Sequence, residues 1–316
     1  MTWYTVFNGD ADGICSAVQL YRSAPQDAAV IVTGRKRDIT LLDRVQAGKG
    51  DTVTVLDISM RSNADDLRRI LKSGAEVFYV DHHNAGEIPN DDSLSAVIDT
   101  SAEMCTAILV DDILGGAYRA WAVTAAFGDN FPKLAKARAE GMDLPLETLE
   151  RLGILINYNG YGASVADLHF DPAELYKHLR DFDTPMDFLA KKPDIFEKLE
   201  VGYEADMAAA KSGKVVSETQ ARLVLELEDN ASSRRVSGVY GNALAQEFPG
   251  RAHAILTRKD DCYVVSVRAP LNNRTGADTL CLQFETGGGR SAAAGINALP
   301  FDRLDAFQDA FAKAYS

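Results

Sequence analysis

Short apolar runs alternate with helix-patterned stretches through the first hundred residues, and this alternation restricts the fold more than any other feature. The runs "TWYTVFN", "AAVIVTG", "TVTVLDI", "EVFYVD" and "SAVIDT" read as strands. Between them, "GICSAVQLYRS", "ITLLDRVQAG" and "ADDLRRILKSG" read as helices. Strands that alternate with helices predict a parallel sheet with crossover helices. Runs that are apolar throughout, rather than at every second residue, fit a sheet covered on both faces.

From residue 101 to about 210 the pattern becomes helical, in "MCTAILVDDILGG", "YRAWAVTAAFG", "LETLERLGILINY", "PAELYKHLRDF" and "PDIFEKLEVGYEADMAAAK". The polar stretch "KSGKVVSETQ" at 211–220 reads as a linker. Beyond it, "AILTRKDDCYVVSV" reads as a hairpin and "FDRLDAFQDAFAKAY" as a closing helix. The predicted fold class is α/β. It comprises an N-terminal parallel-sheet domain with a helical extension at 1–185, a helical linker at 186–220 and a smaller α/β domain at 221–316.

The formal net charge of −13 argues against a surface built to hold long duplex nucleic acid, which needs basic footprints. The acid excess lies in the first part, because from residue 230 onward 10 Lys/Arg face 8 Asp/Glu. An acidic half can still bind phosphate if its carboxylates hold metal ions. No apolar run approaches the ~18 residues of a membrane span, and the N-terminus lacks the pattern of a signal peptide. Cys15, Cys105, Cys262 and Cys281 are far apart, and we expect reduced core residues in a cytoplasmic protein.

Three of the predicted strands run into acids. The first leads to Asp10 and Asp12 in "NGDADG", the third to Asp57 in "LDIS", and the fourth to Asp81, His82 and His83 in "DHHN". Ligands of open parallel sheets bind beyond the carboxyl ends of the strands, so these residues should converge. Several carboxylates do not sit together ionised without a cation between them. Carboxylate with imidazole suits Mn²⁺, Fe²⁺, Co²⁺ or Zn²⁺, and Mg²⁺ less well. Each piece taken alone also has a plain reading: a turn before a helix, a helix cap, a core histidine, or, for Asp129 in "AFGDN", a polar helix end.

In that order and spacing, "NGDADG", "LDIS", "DHHN" and "AFGDN" resemble the motifs of the DHH phosphoesterase superfamily, and "GGGRSAAAGI" at 287–296 with "VVSVRA" upstream resembles its DHH-associated C-terminal domain. The layout is most similar to the branch of the nanoRNases, the 3′-phosphoadenosine-5′-phosphate phosphatases and the RecJ-like enzymes. The resemblance implies two ions, typically Mn²⁺, with Mg²⁺, Co²⁺ or Fe²⁺ as substitutes. By position it makes Asp10 a ligand of the first metal, Asp12 of the second and Asp57 a bridge. His82 and Asp129 would complete the second metal, and His83 would face the substrate phosphate. Asp81 would orient a histidine. Arg268 would clamp the phosphate, and Gly287, Gly288 and Gly289 would let the backbone approach the ligand.

The sequence departs from that pattern at two places. Asn8 stands where many members carry a histidine or aspartate before the first acid pair, and a neutral amide oxygen is a weak metal ligand. Arg290 replaces the usual histidine of the glycine loop and could bind a second phosphate. The implied function is metal-dependent hydrolysis of phosphodiesters or phosphomonoesters in short oligonucleotides, dinucleotides or nucleotide bisphosphates. Two alternatives stay open: a phosphatase of pyrophosphate or short polyphosphate, and a nucleotide-binding sensor with impaired catalysis. The expected partner is a small phosphorylated substrate, not long duplex nucleic acid or a membrane, and a homodimer is left open. Arg35, Lys36 and Arg37 in "GRKRD" either reach an anionic substrate or form a solvated basic turn. "NYNGYG" (157–162) is a base-binding candidate or a plain loop, and Arg234 and Arg235 are phosphate contacts or surface residues. The turn "SAEMCT" (101–106) is an anion-binding turn or a helix start. His169, His178 and His253 read as structural.

Overall fold

The computed structural model describes residues 1–101, 103–143 and 145–316. Ala102, inside the 101–106 turn, lies outside the described residues. The chain divides into two compact units, Met1–Val201 and Gly202–Ser316.

The first unit is built as the apolar alternation predicts. Its strands are β1 (Trp3–Phe7), β2 (Val30–Val32), β3 (Thr52–Leu56), β4 (Glu76–Asp81) and β5 (Leu94–Ile98). All pair in parallel, in the order β2-β1-β3-β4-β5. The chain moves outward from β1 in one direction to β2 and then in the other to β3, so the strand order reverses between β1 and β3. Such a switch point opens a crevice at the carboxyl edge of the sheet. Helix α1 (Ala11–Ser23) leaves this edge after β1, and α2 (Ala64–Lys72) connects β3 to β4. The helical part that follows holds α3 (Thr106–Ile113), α4 (Arg119–Gly128), α5 (Pro132–Arg138), α6 (Leu146–Asn159), α7 (Pro172–Leu179) and α8 (Pro185–Lys191), and α9 (Pro193–Lys211) begins in this unit and ends in the second. Val6, Val53, Val55, Val77 and Tyr79 of the sheet pack with Leu67 and Ile70 of α2 in one buried cluster.

The stretch 39–48, expected to be a helix, is not one: it forms only a short 3₁₀ turn at Leu42–Arg44. Leu41, Leu42 and Val45 are fully buried there. Side chains satisfy the backbone that a helix would have paired internally. Asn63 accepts from Leu42 N–H (3.2 Å) and donates to Ile39 C=O (2.7 Å). The Arg69 guanidinium donates to the carbonyls of Leu42 (2.9 Å) and Val45 (3.0 Å).

The second unit carries β6 (Lys214–Glu218), β7 (Arg222–Leu227), α10 (Ala231–Glu247), β8 (Ala252–Arg258), β9 (Cys262–Arg268), α11 (Ala277–Cys281), β10 (Gly287–Arg290), β11 (Ala293–Pro300) and α12 (Leu304–Ala314). Its mixed sheet runs β10-β11-β9-β8-β7-β6. The expected hairpin is β8 with β9, paired antiparallel. The expected linker 211–220 instead holds β6, an edge strand paired antiparallel to β7. Being on the edge and mostly exposed, β6 needs little apolar side chain, and its polar composition therefore hid it. All four cysteines are free thiols. Among the described residues, no helix is long and apolar enough to cross a membrane.

Candidate metal centre

The carboxyl edge of the first sheet gathers the acids. Asp10 follows β1 and caps α1: its Oδ1 accepts from the amides of Asp12 (3.0 Å) and Gly13 (3.1 Å). A Cβ on Gly9 would fall 1.7 Å from the Gly34 carbonyl oxygen, so a side chain there would push apart the two backbone segments that meet at this edge. Asp12 is fully buried, and the amides at the start of α3 hold both its oxygens: Thr106 N–H to Oδ2 (2.8 Å) and Ala107 N–H to Oδ1 (2.7 Å). Burial, with Asp129 and Asp10 nearby, lifts its carboxyl above the usual range against the pull of His82.

Asp57 directly follows β3 and takes a left-handed backbone, φ 58°. Aspartate is one of the few residues other than glycine that visits this region readily. Thr106 Oγ1 donates to its Oδ1 (3.3 Å). Burial pushes its acid well above the usual carboxylate range, and Asp12, Asp10, Asp129 and Asp81 push in the same direction. A buried carboxylate crowded by others is the electrostatic imprint of a cation site.

His82 makes the cluster a candidate ligand set. Its Nδ1 lies 2.7 Å from the Met104 carbonyl, an acceptor only, so Nδ1 carries the proton and Nε2 keeps its lone pair. That Nε2 faces Asp57 Oδ1 at 3.5 Å, Asp12 Oδ2 at 3.8 Å and Asp129 Oδ2 at 3.9 Å. Among the described residues, Asp12, His82 and Asp129 form one group with metal-ligand spacing, and Asp57, His82 and His83 form another. The donors, imidazole nitrogen with carboxylate oxygen, fit a divalent ion of the Mn²⁺ to Zn²⁺ series.

His83 is more open, its side chain 43% exposed, and its Nδ1 pairs with Asp81 Oδ1 at 2.8 Å. Burial works to lower its pKa, but the Asp81 hydrogen bond and charge outweigh this and hold it above the usual histidine value. Asp81 thus orients His83, while the Met104 carbonyl orients His82.

Lys36 is the residue whose place sequence reasoning did not find. Its Nζ donates to Asp10 Oδ2 (2.6 Å), Asn157 Oδ1 (2.9 Å) and Asp129 Oδ1 (3.1 Å). Burial disfavours its charge, yet Asp10 and Asp129 hold its pKa well above the lysine range. Asn8 Nδ2 donates to the Lys36 carbonyl (3.1 Å) and anchors that loop, while its buried Oδ1 has no hydrogen-bond partner. Asp10, too, belongs to neither ligand group. One signal was available: "GRKRD" follows the carboxyl end of β2, on the edge where the acids gather. Neighbouring Arg35 stays with its own loop, bonding Asp38 and the Ala163 carbonyl.

The remaining candidates lie in the second unit. Arg268 ends β9, where its Nε donates to Asn242 Oδ1 (2.6 Å) and its Nη2 to the Gly238 carbonyl (3.0 Å) of α10. In the sheet register Arg290 is opposite Ala293, and Ala293 is opposite Arg268, so the two arginines share one row and one face. Gly287 and Gly289 have local reasons to lack a side chain: a Cβ on Gly287 would lie 1.7 Å from the Cys281 carbonyl, and Gly289 has φ +140°. A Cβ on Gly288 would meet nothing. Arg235 pairs with Asp206 (2.8 Å), and Arg234 with Asp229. His253 is buried, and burial with Arg251 pushes its pKa down to about 4.

Residues 3–137 match the DHH family, N-terminal domain. No curated protein matches the chain. Several solved structures share its fold across 99% of its length. A DHH domain described as a member of a family of ribosomal proteins has a TM-score of 0.65 at 14% identity, over 86% of that chain. An exonuclease RecJ bound to manganese has a TM-score of 0.59 at 17% identity, over 90% of that chain. The pGpG-specific phosphodiesterase PggH from Vibrio cholerae has a TM-score of 0.56 at 18% identity, over 98% of that chain. At these identities the likeness is one of fold. The match over residues 3–137 takes in the motif residues "NGDADG", "LDIS", "DHHN" and "AFGDN", the first three of which stand at the carboxyl edge of the parallel sheet, and it makes this part of the chain similar to DHH family N-terminal domains.

Proposed function

We propose that this protein is a metal-dependent phosphoesterase acting on small nucleotides: short oligonucleotides, dinucleotides or nucleotide bisphosphates. The observation that carries this reading is His82, whose free Nε2 faces the carboxylates of Asp12, Asp57 and Asp129 at distances of 3.5–3.9 Å. The names of two proteins of similar fold, an exonuclease and a pGpG-specific phosphodiesterase, support the substrate class. A bound divalent ion, with Mn²⁺ the first to test and Mg²⁺, Co²⁺ or Fe²⁺ as substitutes, would supply Lewis-acid charge at the phosphate and acidify water. Asp12, His82 and Asp129 would hold it, with Asp57 beside them. His83, fixed through Nδ1 by Asp81, has its Nε2 left to contact a phosphate oxygen and to give a proton to the leaving oxygen. Arg268 and Arg290, on one face of the second sheet, are the proposed phosphate contacts of a substrate-binding unit. The four free thiols support a cytoplasmic setting.

The test is a Mn²⁺ incubation with two-to-five-residue RNA and DNA, cyclic dinucleotides, 3′-phosphoadenosine-5′-phosphate, pyrophosphate and short polyphosphate, with products followed by chromatography. Cleavage of a nucleotide class, lost in Asp57→Ala, is expected. Cleavage of pyrophosphate or polyphosphate alone would replace the substrate class. Metal-dependent binding without turnover would favour a nucleotide sensor, a reading that the lysine inside the acidic cluster supports.

A further inference from the structure

The acidic cluster is already partly neutralised by the protein itself. The three donors of the Lys36 ammonium meet three oxygens, on Asp10, Asn157 and Asp129, at 2.6, 2.9 and 3.1 Å. An ammonium has three N–H groups, so this one is saturated. Its place is fixed from the backbone outward. The Lys36 carbonyl accepts from Asn8 Nδ2 (3.1 Å), and its amide donates to the Gly160 carbonyl (2.8 Å). The loop reaches this position because Gly9 has no side chain to meet the Gly34 carbonyl. Lys36 is therefore a seated group, not a solvated arm.

The histidines point the same way. Both groups with metal-ligand spacing use His82. With Nδ1–H given to the Met104 carbonyl, His82 has a single lone pair, so it can serve one ion at a time. Asp10 belongs to neither group: its Oδ1 is taken by two amides and its Oδ2 by Lys36. A divalent ion placed among Asp10, Asp129 and Asn157 would meet the ammonium at contact distance, where like charges repel strongly. Asn8, which the family resemblance would make a ligand on that side, donates through Nδ2 to hold the lysine loop, and its buried Oδ1, without a hydrogen-bond partner, offers that side only a neutral oxygen beside the fixed ammonium.

We propose that this is a single-ion centre, with one divalent cation held by Asp12, His82 and Asp129 beside Asp57, and with the Lys36 ammonium occupying the place of a second cation. The proposal rests on the metal-site reading above and departs from the two ions that the family resemblance implies. The two cations are not equivalent. An ammonium supplies positive charge and hydrogen-bond donors, but it has no coordination position to exchange and does not acidify a bound water as a metal does. Activation of water then falls to the one metal position, and Lys36 contributes a fixed charge.

Counting bound ions tests this without any assay of turnover. Wild type and Lys36→Ala are titrated with Mn²⁺ by calorimetry, and metal content is measured after gel filtration. One ion per chain is expected for wild type and two for Lys36→Ala. Two ions in wild type, or still one in Lys36→Ala, would overturn the proposal. Should Lys36→Ala fail to fold, electron paramagnetic resonance of Mn²⁺-loaded wild type decides: an isolated-ion spectrum is expected, and a spin-coupled pair overturns it. No ion bound to wild type would instead overturn the metal-site reading itself.

Discussion

Asp57 concentrates the tension of the site in one residue. It has a left-handed backbone, is 2% exposed, and sits among Asp10, Asp12 and Asp129. A buried carboxylate in such company favours its neutral form, so without a cation it opposes folding at neutral pH. An asparagine in its place would tolerate the same backbone and carry no charge. We therefore predict that Asp57→Asn raises the thermal midpoint of the metal-free protein by several degrees, at roughly 2–4 °C per kcal/mol. The same change should cut turnover by about 10³-fold, the scale of losing one electrostatic element of a site. Calorimetry in chelator and initial rates in excess Mn²⁺ check the two halves. A lower midpoint would mean that Asp57 stabilises the metal-free fold. The residue scale also shows the limit of reading positions one by one. "DADG" as a helix cap and "DADG" as part of the site are both true: Asp10 caps α1 with one oxygen and binds Lys36 with the other.

Among the elements, the segment between β2 and β3 shows how apolar spacing can mislead. Leu41, Leu42 and Val45 have helical spacing and are buried, yet the chain around them is mostly irregular. Asn63, itself 2% exposed, satisfies the Leu42 amide and the Ile39 and Ser59 carbonyls. Removing its side chain would strand several backbone groups. We expect Asn63→Ala to destabilise the first unit by about 2–4 kcal/mol, since each buried polar group left unsatisfied costs about 1–3 kcal/mol. Denaturant unfolding measures this; a change under about 0.5 kcal/mol, the size of an ordinary surface substitution, would show that water replaces the asparagine. The parallel strands were legible because each is a compact apolar run between turn signals. Strand β6 was not, because an exposed edge strand carries no such run.

At the scale of the whole molecule, each unit has its own buried core: the sheet and α2 cluster in the first, and β8, β9 and β11 with α11 and α12 in the second. All the candidate metal ligands lie in the first. Mn²⁺ should therefore stabilise the first unit, by about 2.7 kcal/mol at a hundredfold excess over Kd. A fragment spanning 193–316, which keeps α9 whole, should unfold cooperatively with a midpoint that Mn²⁺ leaves unchanged. Calorimetry of the full chain and the fragment compares the two. A Mn²⁺ shift in the fragment would show a metal site in the second unit.

The sequence by itself determined the parallel sheet, the placing of Asp10, Asp12, Asp57, Asp81, His82 and His83 at strand ends, and the match of residues 3–137 to the DHH family, N-terminal domain. These follow from local order: period, turn residues and the rule that ligands gather at the carboxyl edge. The tertiary structure alone decided which charges meet. Lys36 lies 26 residues from Asp10, 93 from Asp129 and 121 from Asn157 in the chain. Only the close contact of Gly9 with Gly34, and the Asn8 and Gly160 hydrogen bonds, bring the Lys36 ammonium to them. Electrostatic partnership depends on distance in space, and a period in sequence carries no record of it.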